Sequence, residues 1–304
     1  MSSHTQNSSP NGTFNLPKKN DYRPDIDGLR AIAVIAVVGY HAFPSLFQGG
    51  FVGVDIFFVI SGFLISKHIW EELAVGKFSI KTFYARRVRR IFPALIVVLL
   101  FCLAFGWLIL TPGEYEQLGK HVAGGAGFVS NLIYWKEAGY FDNAADTKPL
   151  LHLWSLGIEE QFYIVWPLIM VFLWKQPHHS KWALPSLLIA SFIYSQIVVK
   201  QNVIADFYSP LTRFWELALG AVMANESIRN YRIDARQSAL LSLAGLGLIV
   251  TSIVVVNHLD SFPGAWALLP ALGAALLIKA GQDAWPNRHL LSRRWIVGIG
   301  LISY

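Results

Sequence analysis

The feature that most constrains this chain is a succession of apolar runs, each about as long as a bilayer is thick. A helix that crosses the hydrocarbon core needs roughly 20 mostly apolar residues. Such runs occupy residues 28–46, 51–69, 91–110, 152–174, 183–199, 211–226, 238–256 and 265–280, and a ninth begins near 295. The expected fold is therefore all-α: a polytopic transmembrane helical bundle with eight complete spans and the start of a ninth. Charge agrees with this. Only 14% of the 304 residues are charged, whereas a soluble domain carries about 25%.

The net charge of +6 does not point to nucleic acid, because the positive residues sit in short blocks between apolar runs. Lys18, Lys19 and Arg23 precede the first run. Lys77, Lys81, Arg86, Arg87, Arg89 and Arg90 separate the second from the third. Lys175 and Lys181, then Arg229, Arg232 and Arg236, then Lys279, Arg288, Arg293 and Arg294 mark later loops. All these blocks lie on the cytoplasmic side only if the weakly apolar stretch 115–137 does not cross. That stretch is expected as an extracytoplasmic or re-entrant helix within a long outer loop, 111–151. Residues 1–24 lack the apolar centre of a signal peptide and read as a disordered cytoplasmic tail. The single cysteine, Cys102, allows no intrachain disulfide.

Ionisable groups inside membrane spans are costly and mark function or pairing. Arg30 and His41 are eleven residues apart in the first run, close to three helical turns. They share a face, with about 16 Å of axial rise between them. Asp55 is the lone acid of the second run and needs an interior partner. Arg86, Arg87, Arg89 and Arg90 suit a topology signal, a lipid contact or a phosphate clamp. His152, Ser155 and Glu159 fall on one face of the fourth run. His152 and Glu159 are roughly 10 Å apart along the axis, too far for a serine-type triad. Arg213 and Glu216, at i and i+3, suit a simple pair. His178 and His179 read as solvated loop residues. No metal-ligand spacing, phosphate loop or dinucleotide fingerprint occurs.

Five stretches taken together carry a resemblance: YRPDIDGLRAIAV with the later His41, GGFVGVDIFFVISGFLI, FYARRVRRIFPA, LLHLWSLGIEEQFYIVWP and RFWELALGA. In this order they resemble the acyltransferase-3 family of membrane O-acyltransferases, which modifies bacterial polysaccharides such as O-antigen. The resemblance covers residues 22 to 304 and makes 25–304 an acyltransferase-3 transmembrane domain. It implies about ten helices in a full domain, so the chain is expected to stop short of the last ones. It also implies that a periplasmic SGNH-hydrolase-like domain accompanies many members.

The resemblance further implies acetyl transfer from cytoplasmic acetyl-CoA to a hydroxyl of a lipid-linked or cell-surface glycan, across the bacterial inner membrane. Lipopolysaccharide and its O-antigen are the first candidates for that glycan. His41, Asp55 and Glu159 are the expected catalytic residues. Arg30, Arg86 and Arg89 are expected to hold the coenzyme A phosphates. Trp154, Ser155 and Gln161 are expected at the acceptor. Two other readings stand beside this one. The first is a transporter or flippase for a lipid-linked sugar, which intramembrane charges would also suit. The second is an inactive truncated remnant.

Overall fold

The computed structural model describes residues 22–138, 147–225, 233–257 and 261–303, without the side chains of 177–181. The expected 1–24 tail lies outside the described residues up to position 21, as do the side chains of His178 and His179. The described elements are helical throughout. They are α1 (Pro24–Ala42), α2 (Gly53–Ala74), α3 (Ile80–Ile109), α4 (Pro112–Ala126), α5 (Ser130–Glu137) and α6 (Leu153–Lys175). After these come α7 (Pro177–Gln201), α8 (Val203–Tyr208), α9 (Pro210–Ala224), α10 (Ala235–Val255), α11 (Leu268–Ala280) and α12 (Arg294–Ile302).

Five described helical segments are long and apolar enough to cross a membrane: Gly50–Ala74, Ile80–Ile109, Leu153–Lys175, Trp182–Gln201 and Ala235–Val255. This makes the chain an all-α, polytopic membrane protein. The other runs expected to span differ in a consistent way. α1 carries Asp25, Asp27 and Arg30, and α9 and α11 are only 15 and 13 residues long. These three helices are rich in buried residues, whereas α3, α7 and α10 turn most of their surface outward. Apolar composition alone does not tell a lipid-facing helix from one enclosed by other helices.

The enclosed centre is the α2–α9 crossing, with α7 packed on the far side of α9. Gly62 of α2 lies against the Leu217 carbonyl of α9, and Gly220 of α9 lies against the Val59 carbonyl of α2. A methyl group at either position would overlap that oxygen. The two helices approach backbone to backbone, as small residues allow in membranes. α1 packs between α2 and α12, and α10 packs on α11.

The stretch 115–137 is a bent pair of helices. α4 opens with a capping box from Thr111 and Glu114. At roughly 22 Å and 12 Å, α4 and α5 are too short to cross a bilayer. Phe128 joins them at φ +56°, the one non-glycine residue in the left-handed region among the described residues. The strain there is held in place from outside: Gln161 of α6 donates to the Phe128 carbonyl at 2.8 Å. α5 thereby docks on α6 and α8.

Candidate functional site

Helix periodicity on α3 sorts the arginine block. Arg87, Arg90, Ile91, Ala94, Leu95 and Val98 follow the i, i+3, i+4, i+7 spacing of one face. All but Arg87 border a cavity of about 460 Å³. α1 contributes Arg30 and Val37 to its wall, and α2 contributes Val54, Phe57, Phe58, Ser61 and Leu64. α6 and the residue before it contribute His152, Ser155, Leu156, Glu159 and Glu160. The cavity thus runs along the bundle, with Arg30 and Arg90 toward one end and His152 and Ser155 toward the other. Its wall is apolar between them, apart from a polar girdle.

Glu159 and Ser61 form that girdle. Glu159 accepts a hydrogen bond from Ser61 Oγ at 2.5 Å and another from the Tyr163 hydroxyl. Arg87 supplies the countercharge: its Nη2 is 3.3 Å from Glu160 and 4.0 Å from Glu159. Its guanidinium lies over the Tyr163 ring, 3.9 Å from the centroid. One cation thereby anchors two adjacent acids of α6 to α3. Without it, two carboxylates would stand in a low-dielectric interior, which is strongly unfavourable.

His41 stands one turn beyond Val37 on the face that meets the cavity. Its ring is exposed, and its Nδ1 is 2.8 Å from the Val37 carbonyl. A carbonyl only accepts, so Nδ1 carries the proton and Nε2 keeps its lone pair in the neutral ring. His152 sits at the N-cap of α6, open to the cavity but set among protein. Burial holds His152 below the usual imidazole range, and the charge His41 can carry adds to that shift.

The remaining expected site residues are dispersed. Arg30 lines the cavity and is 3.3 Å from Asp27. Arg86 is held in a bidentate pair with Glu72, at 2.8 and 2.9 Å, on the exposed side of α3. Arg89 is exposed and does not border the cavity. Ser155 borders it and donates to the His152 carbonyl at 3.2 Å. Trp154 is buried behind it, edge-on to Phe58 with centroids 6.2 Å apart. Gln161 points away, toward Phe128 and Asn131.

The partner of Asp55 is Arg213, 158 positions later in the chain, at 2.8 Å. Sequence alone does not group Arg90, Ser61 and His152 around one cavity, nor give Arg87 to Glu160. For Arg90 a signal was present, since Ile91, Leu95 and Val98 continue its helical face. For Ser61 and His152 no local signal exists.

The bundle thus holds a lengthwise cavity with Arg30 and Arg90 toward one end and His152 toward the other, in a protein of the membrane acyltransferase class. The chain belongs to the acyltransferase-3 family: the profile of that family, described as an acyltransferase domain, matches residues 23–304. The peptidoglycan O-acetyltransferase OatA of Listeria monocytogenes is 31% identical over 300 residues, 93% of this chain and 48% of that protein. A Staphylococcus aureus (strain MSSA476) protein named provisionally as an O-acetyltransferase is 37% identical over 309 residues, 96% of this chain and 50% of its own length. A Haemophilus influenzae protein of uncharacterized function is 31% identical over 239 residues, 74% of this chain and 96% of that protein. This chain thus spans about half the length of the two O-acetyltransferase relatives. No solved structure matches it.

Proposed function

We propose that the chain carries the transfer of an acetyl group from acetyl-CoA to a hydroxyl of an extracytoplasmic glycan. The observation that carries this reading is the cavity itself. It joins the guanidinium groups of Arg30 and Arg90 at one end to His152 at the other, through a largely apolar wall, and His41 follows the lining residue Val37 by one turn of α1. The positive-inside pattern supports an orientation with the Arg30 and Arg90 end and the N-terminus on the cytoplasmic side of a bacterial cytoplasmic membrane. Guanidinium groups suit the phosphates of coenzyme A. The apolar wall suits its pantetheine arm, and Ser61 and Glu159 offer polar partners for the arm's amides. The acetyl thioester then lies toward His41.

At that end the acceptor hydroxyl meets Nε2 of His41. Nε2 takes the hydroxyl proton as the oxygen attacks the thioester carbonyl. The carbon–sulfur bond breaks, and the imidazolium returns the proton to the departing thiolate. The products are the O-acetyl ester and free coenzyme A. The name of the Listeria relative supports a glycan acceptor, with peptidoglycan now beside lipopolysaccharide O-antigen as a candidate.

The test uses the chain in reconstituted membranes with radiolabelled acetyl-CoA on the cytoplasmic side. Label transferred to added peptidoglycan fragments or lipid-linked O-antigen, and absent from a His41→Ala preparation of equal abundance, is the expected result. No label transfer and no acetyl-CoA binding, with transport of an unmodified lipid-linked sugar instead, would overturn it.

A further inference from the structure

Asp55, Arg213 and Glu216 form a buried charge cluster outside the cavity, and its charges do not balance. All three side chains are about 1% exposed or less. A single nitrogen, Arg213 Nη1, donates to Asp55 Oδ1 at 2.8 Å and to Glu216 Oε1 at 3.0 Å. Around the guanidinium the neighbours are aromatic: Trp154, Phe207 and Phe262, at 5.6, 5.1 and 5.3 Å from their ring centroids. The charged group of α8, Asp206, also bears on Arg213. It is a third acid and deepens the excess of negative charge.

Each carboxyl of the pair has a second oxygen. Asp55 Oδ2 and Glu216 Oε2 are both buried without a hydrogen-bond donor. Two unsatisfied acceptors this deep would be costly. The two carboxyl groups are neighbours, because both are held by the same nitrogen, Arg213 Nη1, at 2.8 and 3.0 Å. Two carboxylates in contact repel, whereas a carboxylic acid beside a carboxylate makes a short, strong hydrogen bond. One proton shared between them satisfies both orphan oxygens and leaves the Asp55–Arg213–Glu216 set itself neutral, with Asp206 as the neighbouring charge.

We propose that Asp55 and Glu216 share one proton, so that the cluster is a neutral clamp of a guanidinium, a carboxylate and a carboxylic acid. The clamp ties α2 to α9 on the N-terminal side of their close approach at Gly62 and Gly220, and it fixes Arg213 under Trp154. Trp154 packs edge-on to Phe58 of the cavity wall. Asp55, Arg213 and Glu216 are therefore positioning residues for that wall, and Asp55 acts here rather than on His41. The proposal stands independently of the identity of the acyl donor.

The test is infrared difference spectroscopy on the full chain in membranes at neutral pH. Wild type is compared with Glu216→Gln and with Asp55→Asn. Each amide stands in for a protonated acid, and the acid left behind then ionises against Arg213. Both difference spectra should show the loss of one carboxylic-acid carbonyl band that shifts in deuterated water. A difference spectrum without that band, from either variant that folds, would overturn the proposal. Failure of both variants to accumulate as folded protein would overturn it too, because a shared proton makes an amide an adequate replacement.

Discussion

The Nδ1–H of His41 donates to the Val37 carbonyl one turn earlier on α1, at 2.8 Å, and this bond decides which ring nitrogen is free. It leaves Nε2 as the basic atom and points the ring's chemistry away from its own helix. Imidazole in that state is suited to proton transfer near neutral pH.

His41→Gln retains a polar group for the Val37 carbonyl but has no titratable nitrogen. Acyl transfer should fall by about 10²-fold or more, the usual weight of a general base, with normal abundance in the membrane. A structural histidine would behave differently, since an interhelical hydrogen bond contributes only about 0.6–2 kcal/mol. Substantial transfer by His41→Gln would remove His41 from the chemistry.

The arginines should separate in donor binding. Arg90 lines the cavity, and Arg86 is engaged by Glu72 outside it. Arg90→Ala should weaken acetyl-CoA binding at least tenfold, since a charge-assisted hydrogen bond contributes about 1.5–3 kcal/mol. Arg86→Ala should change affinity much less. Titration of the purified protein with acetyl-CoA measures both, and the opposite order would move the phosphate site to the exposed side of α3.

The α2–α9 crossing should not accept a side chain. Gly220→Val places branched methyls against the Val59 carbonyl, and overpacking of this kind costs about 1–3 kcal/mol or more. The yield of monodisperse protein in detergent should drop sharply. Gly119→Ala on α4, where an added Cβ meets nothing within 4 Å, should be neutral or slightly stabilising. Equal yields for the two would mean that the crossing is looser than described.

Acid should loosen the α4–α5 pair through Glu137. Burial pushes its carboxyl up, but hydrogen bonds from His121 at 2.8 Å and Lys148 at 2.9 Å outweigh that and hold it below the usual carboxylate range. A folded-state value below the unfolded one, about 4.3, lends stability that is complete above that pH. It is lost as pH falls through the folded value. Limited proteolysis between α4 and α6 should therefore accelerate on acidification below about pH 4.3, and Glu137→Gln should flatten that dependence. An unchanged pH profile in Glu137→Gln would sink this assignment.

Local patterns foretold much of this molecule. Apolar runs gave the helical membrane class because backbone groups in lipid must bond within their own segment. The spacing of Arg30 and His41 put them on one face of α1, since 3.6 residues per turn is a property of any α-helix. The need of Asp55 for an interior partner followed from the cost of a bare charge in lipid. What sequence did not decide was which helices meet. Arg213 and Glu216 read as a local pair, and only the α2–α9 crossing brings Asp55 into it from 158 positions away. The four arginines of α3 are alike in sequence, and only the tertiary structure gives Arg87 to Glu160, sets Arg90 on the cavity and leaves Arg86 to Glu72. His152 and Glu159, set aside as too far apart for one triad, belong to one cavity because a cavity needs only a shared wall. Periodicity is written in consecutive residues, but partners, cavities and countercharges are set by tertiary packing between helices distant in the chain.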